Sequence, residues 1–361
     1  MIVALSIVSA LLLSAPSTSQ EAPGGKVGMT TRRFVPPGDY EWRNSGDHAL
    51  KVTIWYPAQA TAVEAPVRVP PQAPLWEVGS AAPEAPIAAG ARPFPLVVLS
   101  HGSGGSALQM GWLGIALARR GFVAAAVDHP GNNVTEPYTT EGFMLRWERA
   151  RDLRAVIDGL LADGLFGKQL DKGRIGAAGF SLGGYAVMEL AGGRTDMNAF
   201  LRFCHDHPPA CAAPPELPDL DARIDVAVRE NPRVMASLRR AGDSYRDERV
   251  RAVFAIAPAL GASFTPSGLG SIAIPVRIVV GNADQAAPAD VNAAYYAKHI
   301  PGARFEVLPG GVSHYTFLSL PTPQCRKERP LLASDGPGVD RAAVHTQVAG
   351  MAAEFFVQAL K

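Results

Sequence analysis

Residues 173–191 read GRIGAAGFSLGGYAVMELA. Arg174 to Ala178 is a short apolar run, long enough for a buried strand. Gly179-Phe180-Ser181-Leu182-Gly183-Gly184 follows at once, and Tyr185 to Ala191 reads as a helix. The order is strand, sharp turn, helix, with a G-x-S-x-G match on the turn. Such a turn holds its serine in a strained conformation and lifts the hydroxyl clear of a sheet. Gly179 and Gly183 flank the serine where a Cβ would collide with the neighbouring strand or helix. The helix N-terminus behind Ser181 favours negative charge on a reacting oxygen. A chain with 36 glycines makes such strings by chance. The strand–turn–helix setting is what predicts a nucleophile at Ser181 rather than a plain structural turn.

The same alternation runs outward in both directions. Upstream, Phe94 to Ser100 (FPLVVLS) is a continuous apolar strand, as a buried parallel strand should be. His101-Gly102-Ser103-Gly104-Gly105 follows it. Residues 106–119 carry Leu108, Trp112, Ile115 and Ala116 at helical spacing, closed by Gly121. Phe122 to Val127 is the next strand, ending in Asp128-His129-Pro130-Gly131. Residues 143–161 form a helix whose Arg146, Arg149, Arg151 and Arg154 read as solvated or ion-paired. Further upstream, Lys51 to Tyr56 is a strand, and the Ala/Pro-rich residues 58–92 read as an irregular surface excursion.

Downstream, the rhythm breaks at 192–249, a stretch with five prolines between 208 and 218, two cysteines and many charges. It resumes with strands at Val250–Ala257, Val276–Gly281 and Arg304–Leu308, a helix at 289–299 and an amphipathic helix at 340–360, with Asp340 placed to cap it. Strands alternating with helices predict an α/β fold with a mostly parallel central sheet flanked by helices. The interruption at 192–249 reads as a cap inserted into a domain spanning 28–361. No internal repeat appears.

Composition narrows the function classes. The 361 residues suffice for one large α/β domain or two average ones, and 47% are hydrophobic, ample for a sizeable core. A net charge of +1 with both signs interspersed lacks the footprint of a nucleic-acid binder. Residues 2–13 are apolar but too short to span a bilayer. Ser17-Thr18-Ser19 offers a cleavage site, so residues 1–19 read as a signal peptide, although no Lys or Arg precedes the apolar run. The expectation is a periplasmic or secreted protein without a stable membrane anchor. Cys204, Cys211 and Cys325 then allow one intramolecular disulfide. The expected bridge joins Cys325 to Cys204 or Cys211, ahead of a local Cys204–Cys211 pairing. Cys204, His205 and His207 fit no zinc spacing and lack a fourth ligand, so neither metal nor cofactor is expected.

A serine hydroxyl needs a base within hydrogen-bond reach, and the base needs a group that fixes its tautomer. In open α/β sheets such groups sit at the carboxyl ends of strands. Asp284 and His314 both follow predicted strands, in the chain order Ser, Asp, His. His101 and His129 also follow strands but precede the serine. Asp290 is the rival acid, though its place suits capping the next helix. The oxyanion of a tetrahedral intermediate needs backbone N–H donors. Leu182 is one. The other comes from the HGSGG loop, Ser103 first and Gly104 second.

HGSGG after a strand, VDHPGN after the next, GFSLGG, IAPALG, the aspartate of VVGNAD and the histidine of SHYTFL together resemble the α/β-hydrolase superfamily. Within it they resemble the secreted group between dienelactone hydrolases and platelet-activating factor acetylhydrolases. The resemblance covers 28–360, thinning in 58–92 and 192–249. It implies carboxylic-ester hydrolysis without a cofactor, with oxyanion donors at Ser103 and Leu182. The expectation is a serine esterase that works through an acyl-enzyme on Ser181, on small or medium esters. Dienelactone hydrolases carry a cysteine nucleophile, so Ser181 is a departure that leaves the substrate open. Lipase, phospholipid-acyl or polyester hydrolysis are the enzymatic alternatives. A hydrolase-fold binding protein without chemistry is the non-enzymatic one. Oligomeric state is not legible.

Overall fold

The computed structural model describes residues 24–90 and 92–361, so the leader expected over 1–19 lies outside the described residues. The strands are β1 (Val27–Phe34), β2 (Leu50–Pro57), β3 (Ala65–Val69), β4 (Trp76–Pro83), β5 (Phe94–Ser100), β6 (Val123–Val127), β7 (Leu170–Phe180), β8 (Val250–Ile256), β9 (Val276–Gly281), β10 (Arg304–Leu308) and β11 (Leu320–Pro321). They form one 11-stranded sheet in the order β10-β9-β8-β7-β5-β6-β2-β1-β4-β11, with β3 paired to β4. From β10 to β6 every pairing is parallel, and β2 joins β6 antiparallel. The parallel strands are buried on both faces, which is why FPLVVLS and VAAAV carry no polar alternation.

Helices cover both faces. On one lie α1 (Gly111–Arg119) and, at the end of the chain, Arg341–Ala359, which pack on each other. On the other, α2 (Thr140–Met144) leads into α3 (Glu148–Ala162), and α3 packs on α4 (Leu182–Leu190). Between α4 and β8 come α5 (Met197–Asp206), α6 (Leu220–Glu230) and α7 (Pro232–Arg239). Then follow α8 (Pro266–Gly270), α9 (Ala293–His299), α10 (Pro323–Glu328), α11 (Pro330–Ala333) and the long terminal helix, α12. Asp340 caps α12 as expected, accepting from the Ala342 and Ala343 amides.

Three expectations are corrected. Residues 58–92 are not an irregular excursion. They hold β3 and β4, and β1 and β11 also pair with β4. Their prolines lie at strand ends and edges, where a missing N–H costs little, so an Ala/Pro-rich composition did not betray a strand. Cys325 is not bridged. Cys204 pairs with Cys211, with Cα atoms 5.4 Å apart, and Cys325 is a buried free thiol in α10. The 3₁₀ turn Pro208–Cys211 folds the chain back on the end of α5, which brings the near pair together. The third correction concerns Arg149, which is buried rather than solvated.

Candidate active site

Strand β5 pairs with β6 on one side and β7 on the other. Successive connections therefore leave in opposite directions at the carboxyl ends of β5 and β7, and a crevice opens there. Ser181 stands in this crevice. Its φ of 54° and ψ of −118° lie outside the regions open to ordinary residues. Such a conformation costs about 1–3 kcal/mol and persists only where the surroundings enforce it. Here the Ser181 N–H donates to Ile256 O (2.9 Å) and its carbonyl accepts from Ala259 N (3.1 Å). The flanking glycines are obligatory: a Cβ on Gly183 would sit 2.0 Å from Ser100 O, and one on Gly179 would sit 2.1 Å from Gly183 O.

His314 opens a short 3₁₀ turn, His314–Phe317, beyond β10. Trp112 Nε1 on α1 donates to Phe317 O (3.1 Å), and His345 Nε2 on α12 bonds Thr316 O (2.9 Å). The turn is thus held from two helices. Asp284 follows β9. Its loop is stitched to the histidine loop by Ala283 N to Val312 O (2.9 Å) and Gly311 N to Asn282 Oδ1 (2.9 Å). The result is a continuous chain: Ser181 Oγ to His314 Nε2 is 2.9 Å, and His314 Nδ1 to Asp284 Oδ2 is 2.7 Å. The other Asp284 oxygen accepts from Ala287 N (2.7 Å). Asp290, the rival acid, is exposed, and among the described residues it accepts only from its neighbour, Val291 N.

The two expected oxyanion donors are Leu182 and Ser103. Leu182 is the first residue of α4, so its N–H has no intrahelical partner. Ser103 lines the cavity beside Ser181. Gly104, the second choice, is taken: its N–H donates to Asn132 Oδ1 (2.6 Å).

Beneath the HGSGG loop lies machinery that sequence reading missed. Buried Arg149 donates to His101 O (2.7 Å), Gly102 O (3.4 Å) and Asn132 Oδ1 (3.1 Å). One guanidinium thus holds the loop carbonyls and the side chain that fixes Gly104. Burial pulls the Arg149 pKa down to about 9, which leaves it cationic at neutral pH. No sequence signal marks it, because an arginine at helical spacing looks the same on the inner and outer face of α3 when flanked by three others.

Deeper still, Ser100 Oγ bonds His129 Nε2 (2.8 Å) and His129 Nδ1 bonds Asp152 Oδ2 (2.6 Å). All three side chains are fully buried, so this second Ser–His–Asp chain meets no substrate. Burial, reinforced by Arg149, lowers the His129 pKa to about 3. Asp152 is held below its usual range, against burial, by the Arg43 guanidinium at 2.6 Å. The network anchors the base of the loop. His101 joins it, accepting from the His129 N–H at Nε2 (3.2 Å).

A cavity of about 350 Å³ opens over Ser181 and His314. Trp76 and Val78 of β4, Leu318 and Leu332 supply apolar walls, and Pro214 and Glu216 reach in from the segment between α4 and β8. Among the described residues, no cluster of His, Cys, Asp and Glu could hold a metal ion, and no helix is long and apolar enough to cross a membrane.

Strand order, serine turn and the position of its partners define an α/β-hydrolase. The alpha/beta hydrolase family model matches residues 97–325, from β5 through α10, and the chain belongs to that family. Cutinase est1 of Thermobifida alba is 30% identical over 108 residues, 29% of this chain and 33% of the cutinase. Lipase 1 of Moraxella sp. (strain TA144) is 31% identical over 96 residues, 27% of each chain. The matched segments thus span about a third or less of these relatives' length. The solved structure of a ferulic acid esterase from Streptomyces cinnamoneus superposes with a TM-score of 0.59, covering 96% of this chain and 92% of the esterase at 22% identity. That likeness establishes the shared fold.

Proposed function

We propose that this chain is a serine carboxylic-ester hydrolase that works through an acyl-enzyme. The observation that carries the reading is the unbroken chain Ser181–His314–Asp284, at 2.9 and 2.7 Å, on the floor of a cavity open to a small molecule. His314 Nε2 takes the Ser181 proton as Oγ attacks the ester carbonyl. The Asp284 carboxylate keeps the other proton on Nδ1 and stabilises the imidazolium that forms. Negative charge on the carbonyl oxygen is met by the Ser103 and Leu182 amides. His314 then returns the proton to the departing alcohol, leaving the acyl group on Ser181. Water, deprotonated by His314, releases the acid.

The cavity lies at the small end of ligand pockets, which favours small or medium esters. Residues 192–249 act as a cap, a role supported by Pro214 and Glu216 in the cavity wall. Within the family we place the chain beside the dienelactone hydrolase-like and platelet-activating factor acetylhydrolase-like group, on HGSGG, GFSLGG and SHYTFL. We also place it outside the cytosol, a reading supported by the Cys204–Cys211 bridge. Hydrolysis of 4-nitrophenyl esters from acetate to palmitate, with a fluorophosphonate label on Ser181, tests the proposal. Turnover that falls steeply beyond medium chains is expected. Palmitate as the best substrate would turn the reading to a lipase, and no turnover or labelling would favour a binding protein.

A further inference from the structure

The cavity wall contains one fixed charge that the reaction does not use. Among the described residues of its wall, Glu216 is the one Asp, Glu, Lys or Arg; the triad side chains apart, the rest is apolar or neutral. Glu216 belongs to the Pro214-Pro215-Glu216 turn between α5 and α6. The turn leans on the HGSGG loop. A Cβ added to Gly104 would lie 2.6 Å from Glu216 Cγ and 3.2 Å from its Oε1, so the Glu216 side chain lies directly against the Gly104 backbone. Gly104 adjoins Ser103, the expected oxyanion donor, which places the carboxyl beside the reacting centre.

Among the described residues, no Lys, Arg or His stands within ion-pair distance of Glu216. The nearby polar rings, Tyr138 and Tyr315, are neutral phenols. Tyr138 spends its proton on Gly104 O (3.0 Å). Glu216 is exposed as a residue, yet the atoms packed around its carboxyl raise its pKa from the usual value, against a hydrogen bond from its own backbone N–H. A carboxylate without a counter-ion at the edge of an apolar cavity puts a negative potential on anything that enters.

We propose that Glu216 is a specificity-determining residue, admitting neutral and cationic esters to the Ser181 site and turning away esters that bear a free carboxylate. An anionic substrate would bring a second negative charge close to Glu216 and would lose its own hydration in the cavity with no cation to replace it. A cationic group would supply the counter-ion Glu216 lacks. The inference rests on the ester-hydrolase reading and adds the substrate's charge to it.

The test compares charged and neutral partners of matched shape. On the acyl side these are 4-nitrophenyl hydrogen succinate and 4-nitrophenyl methyl succinate. On the alcohol side they are acetylcholine and 3,3-dimethylbutyl acetate. The quantity read is the ratio of kcat/KM within each pair, for wild type, Glu216→Gln and Glu216→Lys. Taking the ratio within each variant cancels any general change in activity. In at least one pair, Glu216→Gln should shift the ratio about three- to tenfold toward the anion or away from the cation, for charges a few ångströms apart in a partly solvated site. Glu216→Lys should shift it further in the same direction. The wild-type preference should shrink in 1 M salt, where the Debye length is about 3 Å; a purely steric role would not respond. Ratios in both pairs that stay within twofold across the three proteins would overturn the inference while leaving the ester-hydrolase reading intact. Failure of wild type on every one of these esters would overturn both.

Discussion

Replacing Asp284 by asparagine tests the site at one atom. Asp284 has two distinct partners: Oδ2 meets His314 Nδ1 at 2.7 Å, and Oδ1 accepts the buried Ala287 N–H at 2.7 Å. An asparagine satisfies Ala287 only by turning its carbonyl oxygen that way, which aims its NH₂ at His314. Nδ1 must then accept, and the imidazole proton moves to Nε2, the atom facing Ser181 Oγ. That tautomer has no lone pair to receive the serine proton. The flipped amide restores the tautomer but sets its NH₂ against the Ala287 N–H. Two unmet donors cost about 2–6 kcal/mol, so the flipped form is at most a few per cent. It also lacks the negative charge that stabilises the imidazolium. We therefore expect Asp284→Asn to lower kcat by about 10³–10⁴, or about 4–5 kcal/mol in barrier. Exposed Asp290→Asn should stay within twofold. The assay is kcat and KM on 4-nitrophenyl butyrate, with melting temperature as the control for folding. A folded Asp284→Asn enzyme retaining a tenth of wild-type kcat, or a greater loss in Asp290→Asn, would refute the reasoning.

Ser181→Ala should lose about 10⁶ in kcat while its melting temperature holds, and a residual rate above a thousandth would remove Ser181 as nucleophile. Arg149→Met should lower kcat tenfold or more, up to the roughly 10²–10³ of a lost oxyanion donor, with KM little changed and partial rescue by lysine; an unaltered kcat in the folded variant counts against the loop clamp. Acid should destabilise the fold. Burial holds His129 down to about 3 and His345 to about 4, with His101 also well below its ordinary value, so all three are neutral when folded and take up protons on unfolding. Their contribution is full above about pH 6.5 and is lost as pH falls toward 3–4. Buried Glu189, lifted to about 8, acts oppositely, its contribution being lost as pH rises toward 8. Calorimetry should therefore show the melting temperature falling from pH 7 to 4.5, and a flat profile there would contradict the histidine account. In the oxidised protein one thiol, Cys325, should react with Ellman's reagent, and only after denaturation. Reduction should loosen α5 first, because the short Cys204–Cys211 loop is worth about 2.5 kcal/mol in the chain-entropy model; a Cys325 disulfide in peptide maps would be the contrary result.

Much of the architecture was legible because its signals are local. The strand–turn–helix around Ser181 announces itself through glycines that sterics demand and through apolar runs that a doubly covered strand requires. The order Ser181, Asp284, His314 follows from which loops leave the carboxyl ends of strands. Strands β3 and β4 were not legible, since they lie at the sheet's antiparallel edge, where half-exposed Ala and Pro are tolerated and no apolar run is imposed. The disulfide was misjudged for a related reason. Nearness along the chain and nearness across the fold made equal claims on Cys204 and Cys211, and only the turn at 208–211 separates them.

By itself, then, the sequence determined the parallel core, the serine turn and the identities of the three residues that meet there. Each of those depends on a pattern within a few neighbouring positions. Tertiary structure alone decided how closely Asp284, His314 and Ser181 approach, at 2.7 and 2.9 Å. It also decided that Gly104 is occupied, that Arg149 points inward under the oxyanion loop, and that Glu216 overhangs Gly104. These are distances between segments far apart in the chain, and no local period encodes the direction in which a side chain points once two such segments pack together.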